Sequence, residues 1–359
     1  MVTSDKMCRT ANGHDINFMD VFKRNIDNIL NDKEDEIINY TSAAQKDGRG
    51  NICPVTIIMP TLAMMAKEQE GDIVSNFMTL LDKKIIEARD MLLERFYYIT
   101  SQPAASAKFM YENNTMTGYI PTEGIISALK HGTIVIGQLG LAETLQILIG
   151  KDQTSEEGMK LAKRIEQLFK DRCAEFKKDY HLNFGVYYSP AENLSYTAFK
   201  KWKAKYGDME NVTYFIKDGK REDKEYFTNS MHVPVWEEMS PFKKIDIESQ
   251  LTGYSNAGCI TYVEVEHDVI HNTEYLEKLV NYAMDHDIPY FAINCPSDQC
   301  EDCGYQGNIP EQCPICGSEN VSRLRRVTGY LSGDYKTAFN KGKISETEDR
   351  VKHKDKIDF

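Results

Sequence analysis

The chain has 359 residues, 41% of them hydrophobic and 27% charged, which is ordinary for a globular protein with a sizeable core. Forty-three basic against 55 acidic side chains give a net charge of −12, which argues against a nucleic-acid binder. No apolar run approaches the roughly 20 residues a membrane helix needs, and the polar stretch Met1–Asn12 has no signal-peptide core, so the expectation is a cytoplasmic protein without membrane contact.

Residues 13–50 are polar and weakly periodic, with one helix expected around Phe18–Leu30 and a turn at Gly48–Asn51. Ile52–Met59 is a short apolar, β-branched run that suits either a strand or the entry to a helix. Three- and four-residue apolar spacing predicts helices at Thr61–Glu70 and Asp72–Tyr98. Thr133–Gln138 reads as a buried strand, and Leu141–Leu148 as a helix stopped by Gly150. Ser155–Tyr180 reads as a long amphipathic helix, with Ser155 as its cap and acidic residues in its first turn. Leu182–Tyr188 is a predicted strand, and Ser189-Pro-Ala-Glu192 opens a helix with proline at its first position. A strand at Ile260–Glu266, a helix at Thr273–His286 capped by Asn272, and a strand at Pro289–Asn294 complete the series. Strand and helix alternate about five times, which predicts an α/β architecture with a mainly parallel sheet.

The last 60 residues differ in character, being rich in Cys and Gly and more basic. Cys300-x2-Cys303 and Cys313-x2-Cys316 are separated by nine residues. Each pair can present two thiolates to one cation, and four thiolates close a tetrahedral shell, so the spacing predicts a structural zinc site. The metal would supply folding energy to a segment too small for its own core. The other five cysteines (Cys8, Cys53, Cys173, Cys259, Cys295) are scattered and read as reduced thiols, mostly core filler, with at least one open to a reactive role.

Beyond the cysteines, Arg325-Arg-Val-Thr-Gly-Tyr-Leu331, the Phe339-Asn340 pair, Gly342-Lys343, Glu346 and Arg350-Val-Lys-His353 resemble the C-terminus of anaerobic (class III) ribonucleotide reductases. Upstream, Tyr188–Ser195, Thr228-Asn-Ser-Met-His-Val-Pro234, Gly258–Glu264 (with Cys259 where histidine is usual), Met7-Cys8-Arg9-Thr10 and Arg49-Gly-Asn51 resemble that family's segments in the same order. Read alone, Cys8 is a thiol in a terminus, Asn51 a turn residue and Ser189-Pro-Ala-Glu192 a helix start; the collinear order turns all three toward function.

The resemblance implies that Gly329 carries a stable backbone radical, installed by a separate activating enzyme that uses S-adenosylmethionine and an iron–sulfur cluster. Cys8 would act as the thiyl that attacks substrate, and Asn51 would bind the ribose hydroxyls, with formate as the reductant. Ser189, Ala191 and Met7 would contact a ribonucleoside triphosphate. The implied fold is the C-terminal half of a ten-stranded α/β barrel, about five strands with their helices, followed by a small zinc ribbon and the glycyl radical loop. The segments would be a cysteine finger loop over 1–50, the half-barrel over 51–294, the zinc segment over 295–320 and the radical loop and tail over 321–359. A separately encoded N-terminal half and a homo-oligomer are the implied partners. The alternative is a non-catalytic glycyl-radical spare part or regulatory subunit.

Overall fold

The computed structural model describes residues 9–10, 25–31, 33, 49–113, 115–116, 118–309, 311–327, 330–332 and 334–353. Of the expected N-terminal helix, residues 25–30 are helical and the rest lies outside the described residues.

The first sheet has the order β1 (Arg9–Thr10), β2 (Arg49–Ile58), β3 (Thr133–Leu139), β4 (Asn183–Tyr188). β2, β3 and β4 run parallel, and β1 is antiparallel to the start of β2. The ambiguous run at 52–59 resolves as strand to Ile58 and then helix, α1 (Met59–Lys67), with Pro60 in its first turn where a missing N–H costs nothing. α2 (Ile73–Thr100) follows, and Asp72 caps it by accepting from Ser75 N at 2.8 Å. α3 (Leu141–Ile149) ends at Gly150, whose φ of +68° is the left-handed stop the sequence predicts. α4 (Glu156–Tyr180) is capped by Ser155, with Glu156 and Glu157 at its positive end and Lys177 and Lys178 at its negative end.

Residues alternate across each strand. Ile134, Ile136, Phe184 and Val186 face the helices and join the main core with Leu81, Ile85, Leu145 and Phe169. α5 (Glu192–Tyr206) begins two residues later than the proline signal suggests: Ala191 is the N-cap and Pro190 lies outside the helix. A hairpin, β5 (Tyr214–Lys217) with β6 (Lys220–Asp223), and α6 (Pro241–Thr252) follow, neither anticipated from sequence.

β7 (Thr261–Glu264) and β8 (Phe291–Asn294) form a separate parallel pair, linked by α7 (Thr273–Asp285) with Asn272 as its cap. Among the described residues, five strands thus lie in parallel ladders of three and two. The approach of the second ladder to β4 is made by residues 256–258: Ala257 N donates to Val186 O at 3.0 Å and Tyr188 N to Gly258 O at 2.9 Å. Gly185 permits this, because a Cβ there would lie 2.8 Å from Asn256 Oδ1 and 2.9 Å from Ala257 Cβ. An antiparallel sheet of order β10 (Gln306–Gly307), β9 (Ser297–Cys300), β11 (Val321–Val327), β12 (Tyr330–Ser332) closes the chain with α8 (Lys341–Asp349). No helix among the described residues is long and apolar enough to cross a membrane.

Candidate functional site

The sheet face turned away from the helices is built differently from the core face. It carries Asn51 and Thr56 of β2, Thr133, Val135 and Gly137 of β3, and Asn183, Gly185 and Tyr187 of β4, as register and alternation require. Small and polar residues thus predominate on this face, and those of β3 and β4 are buried, with Val135 and Tyr187 packed against Ala257. Asn51 Nδ2 donates to Ala257 O at 2.6 Å, and its Oδ1 is buried without a partner among the described residues. That leaves an unmet acceptor on the polar face. Two residues on, Cys53 adopts φ +50° at the bulge that shifts the β2–β3 register, and its side chain packs toward the core.

At the other end of the same face, Thr56 Oγ1 donates to Ser189 Oγ at 3.1 Å. Gly137 leaves room for this pair, since a Cβ there would come within 3.1 Å of Thr56 Oγ1 and 3.3 Å of Ser189 Cβ. Five residues separate Asn51 from Thr56, or about 16 Å at the ordinary strand rise. Ser189 and Ala191 are both buried, at the C-terminal end of β4.

The segment Thr228-Asn229-Ser230 closes this end. Ser230, at φ +42°, donates from Oγ to Ser189 O at 2.9 Å, and Gly140 N donates to Thr228 O at 3.0 Å. A fully buried ion pair holds the segment: Glu143 Oε1 accepts from Lys224 Nζ at 2.5 Å and from both N and Oγ1 of Thr228 at 2.8 Å. Burial pushes the Lys224 ammonium below its ordinary pKa, and Glu143 offsets part of that shift. Lys224 Nζ also lies 4.3 Å from the ring centre of Trp236 and 5.1 Å from that of Tyr226.

Cys300, Cys303, Cys313 and Cys316 converge, with all four Sγ atoms within 4.8 Å of one another. The Cys300–Cys316 and Cys303–Cys313 sulfurs are 3.5 and 3.6 Å apart, against about 3.8 Å for neighbours around a tetrahedral zinc with 2.3 Å bonds. The two knuckles share one backbone pattern. Gly304 N donates to Cys300 O and Gly317 N to Cys313 O, at 2.9 and 2.8 Å, and both glycines are left-handed at φ +75° and +74°. Four soft thiol donors in this arrangement fit zinc and leave no open ligand position.

The tail returns along the second ladder. α8 presents Lys343 and Glu346 inward, paired at 2.5 Å, and Tyr226 OH donates to Asp349 Oδ2 at 2.9 Å. Burial raises the Asp349 carboxyl to about 6. Arg350 bridges Glu264 at 2.6 Å and Glu346 at 3.2 Å. Burial lowers the His353 imidazole to about 3, and its Nδ1 accepts from Glu264 N at 2.8 Å.

The structure therefore brings Asn51, Ser189 and Ala191 to one sheet and clusters the four cysteines. Met7, Cys8 and Gly329 lie outside the described residues; Val327 pairs with Tyr330 on either side of 328–329. Cys173 and Cys259 are buried, as expected of core thiols, and Cys259 packs in the main core. The sequence reading missed Glu143 and Lys224 altogether. A buried pair 81 residues apart leaves no local pattern.

Fold and site together define a mixed α/β protein with a polar strand face and, in its antiparallel sheet, a four-thiol centre. A family model described as anaerobic ribonucleoside-triphosphate reductase matches residues 5–353. The chain is 31% identical over 324 residues to the anaerobic ribonucleoside-triphosphate reductase of Escherichia coli (strain K12), covering 86% of this chain and 43% of that protein. The reductase of the same name from Enterobacteria phage T4 is 31% identical over 318 residues, covering 86% and 49% respectively. A solved anaerobic ribonucleotide reductase superposes with a TM-score of 0.63 at 18% identity, over 85% of this chain and 45% of the other. The Thermotoga maritima enzyme in complex with dATP and CTP gives a TM-score of 0.60 at 20% identity, over 79% and 43%. The chain belongs to the anaerobic ribonucleoside-triphosphate reductase family, and it spans less than half the length of these curated relatives.

Proposed function

We propose that this chain supplies the C-terminal half of a catalytic α/β barrel that reduces ribonucleoside triphosphates by radical chemistry. The observation that carries the reading is the polar face of β2–β4, where Asn51 offers an unmet acceptor and Thr56, Ser189 and Ser230 gather at the opposite end. Asn51 would bind the ribose hydroxyls. Ser189 and Ala191, ahead of the N-terminus of α5, would meet the phosphates, where helix N–H groups favour an anion. Met7 would lie against the substrate beside Cys8.

In the proposed cycle Gly329 stores the radical on its Cα, where the absence of a side chain lets the centre flatten and delocalise into both amides. Cys8, oxidised to a thiyl by transfer of its hydrogen to Gly329, takes the ribose 3′-hydrogen. The 2′-hydroxyl leaves as water, formate supplies two electrons and departs as carbon dioxide, and Cys8 returns the hydrogen. The balance is ribonucleotide, formate and a proton giving deoxyribonucleotide, carbon dioxide and water. Cys300, Cys303, Cys313 and Cys316 would hold zinc, whose contribution is to fold the segment that carries β11 and β12. The radical would be installed by an S-adenosylmethionine/iron–sulfur activase, and the chain itself spans 43% to 49% of these relatives.

The test is reduction of a ribonucleoside triphosphate, with radiolabelled formate, by the activated assembly. Carbon dioxide should appear one for one with deoxyribonucleotide. Cys8→Ser and Asn51→Ala should lower product at least a hundredfold while the radical persists. Turnover undiminished by Cys8→Ser would overturn the assignment in favour of a subunit that only carries the radical.

A further inference from the structure

We infer that Arg350 is a positioning residue that latches the β11–β12 hairpin to the body of the molecule. The inference rests on the reading that Gly329, between these strands, carries the radical. Arg350 Nη1 donates to the carbonyl of Arg326 at 3.0 Å and to Glu264 Oε1 at 2.6 Å, while Nη2 reaches Glu346 Oε1 at 3.2 Å. Asn294 Nδ2 adds a second donor to the same two acceptors, at 2.9 Å to Glu264 and 3.5 Å to Arg326 O. One guanidinium thus joins the end of β7, the tail helix α8 and the hairpin itself.

The gripped carbonyl is well chosen. Arg326 stands opposite Leu331, one step from the Val327–Tyr330 pair that brackets residues 328–329. In an antiparallel ladder, alternate residues turn their N–H and C=O away from the partner strand. On that outer side the β9 ladder stops at Leu324–Ser297, so Arg350 and Asn294 take the place a further strand would occupy. Apolar packing adds little: one small cluster, Val327, Tyr335 and Phe339 with Ile344, touches this part of the hairpin.

Burial makes the grip specific. The side chains of Arg350, Glu264 and Glu346 are 9%, 11% and 4% exposed. With Lys343, two cations face two carboxylates, so no charge is left over while the hairpin is docked. Removing Arg350 leaves Glu264 and the Arg326 carbonyl short of donors in a place water reaches poorly.

Hydrogen–deuterium exchange on the zinc-loaded 359-residue protein tests the latch without requiring turnover. Arg350→Gln should speed exchange in peptides covering 321–332 at least tenfold and leave those covering 133–139 and 183–188 unchanged. Arg350→Lys, which keeps the charge and loses the fork, should fall between. Glu348→Gln, an exposed neighbour on α8, should change nothing. Unaltered exchange at 321–332 in Arg350→Gln, or equal acceleration throughout the sheet, would overturn the inference. In the activated assembly, Arg350→Gln should keep radical per chain within twofold of wild type and lose at least tenfold in product per radical; proportionate loss of both would also count against it. A wild-type assembly without radical would refute the radical reading and leave the exchange result standing.

Discussion

Glu143 accepts three hydrogen bonds on a single oxygen, from Lys224 and twice from Thr228, with neither ionic side chain exposed at all. Such a pair adds little to net stability, but breaking one half leaves the other charged and dry. Glu143→Gln should therefore cost about 3 kcal/mol in urea unfolding; a loss below about 1 kcal/mol would mean that Lys224 finds another partner.

Glu166 is the opposite case. Burial raises its carboxyl to about 8, and contacts with Tyr188 and Gln138 oppose that only in part. Gln138 Nε2 donates to Glu166 Oε1 at 2.8 Å, whereas Glu166 Oε2 and Gln138 Oε1 both lack partners among the described residues. A proton on Oε2 turns one of two orphaned acceptors into a donor. The folded protein thus keeps a proton that the unfolded chain releases from about pH 4.5 upward. Stability should fall as pH rises from about 4.5 to 8, by up to about 1.4 kcal/mol per pH unit from this group. Glu166→Gln should remove that slope in denaturant titrations at pH 5 and 8, and an unchanged slope would place the proton elsewhere.

At the scale of elements, most of α1 to α5 was legible because apolar spacing and cap residues agree: Ser155, Asp72 and Gly150 do what their positions predict. α6 and α8 were not legible, and for one reason. Their inward faces carry Lys244 and Glu248 among Ile245, Ile247 and Leu251, or Lys343 and Glu346, so buried ion pairs interrupt or replace the apolar stripe. The cysteine cluster was readable from its spacing, whereas the buried Glu143–Lys224 pair comes together only through the fold. The two cysteine knuckles make a further prediction. Gly304→Ala and Gly317→Ala force a side chain into a left-handed position at about 1–2 kcal/mol each. Chelation should speed exchange across β9 and β11 while β3 and β4 keep their protection; uniform protection after the metal is removed would deny the centre its folding role.

At the scale of the whole molecule, β2, β3 and β4 divide an apolar side packed by α1 to α4 from a polar side that carries Asn51 and Thr56, while β7 and β8 pack on α6 and α7. β11 is tied to the second ladder and α8 by Arg350 and Asn294, and to β9 by the bidentate Arg325–Asp298 pair. The described residues bury their own core, and the chain spans 43% of its Escherichia coli relative. The proposed glycyl radical at Gly329 is tested by electron paramagnetic resonance under strict anaerobiosis, on the protein mixed with activase, S-adenosylmethionine and the remaining length of a full reductase. A doublet signal is expected, and Gly329→Ala should abolish it. A silent wild-type sample in that complete mixture, or a doublet that survives Gly329→Ala, would contradict the proposal.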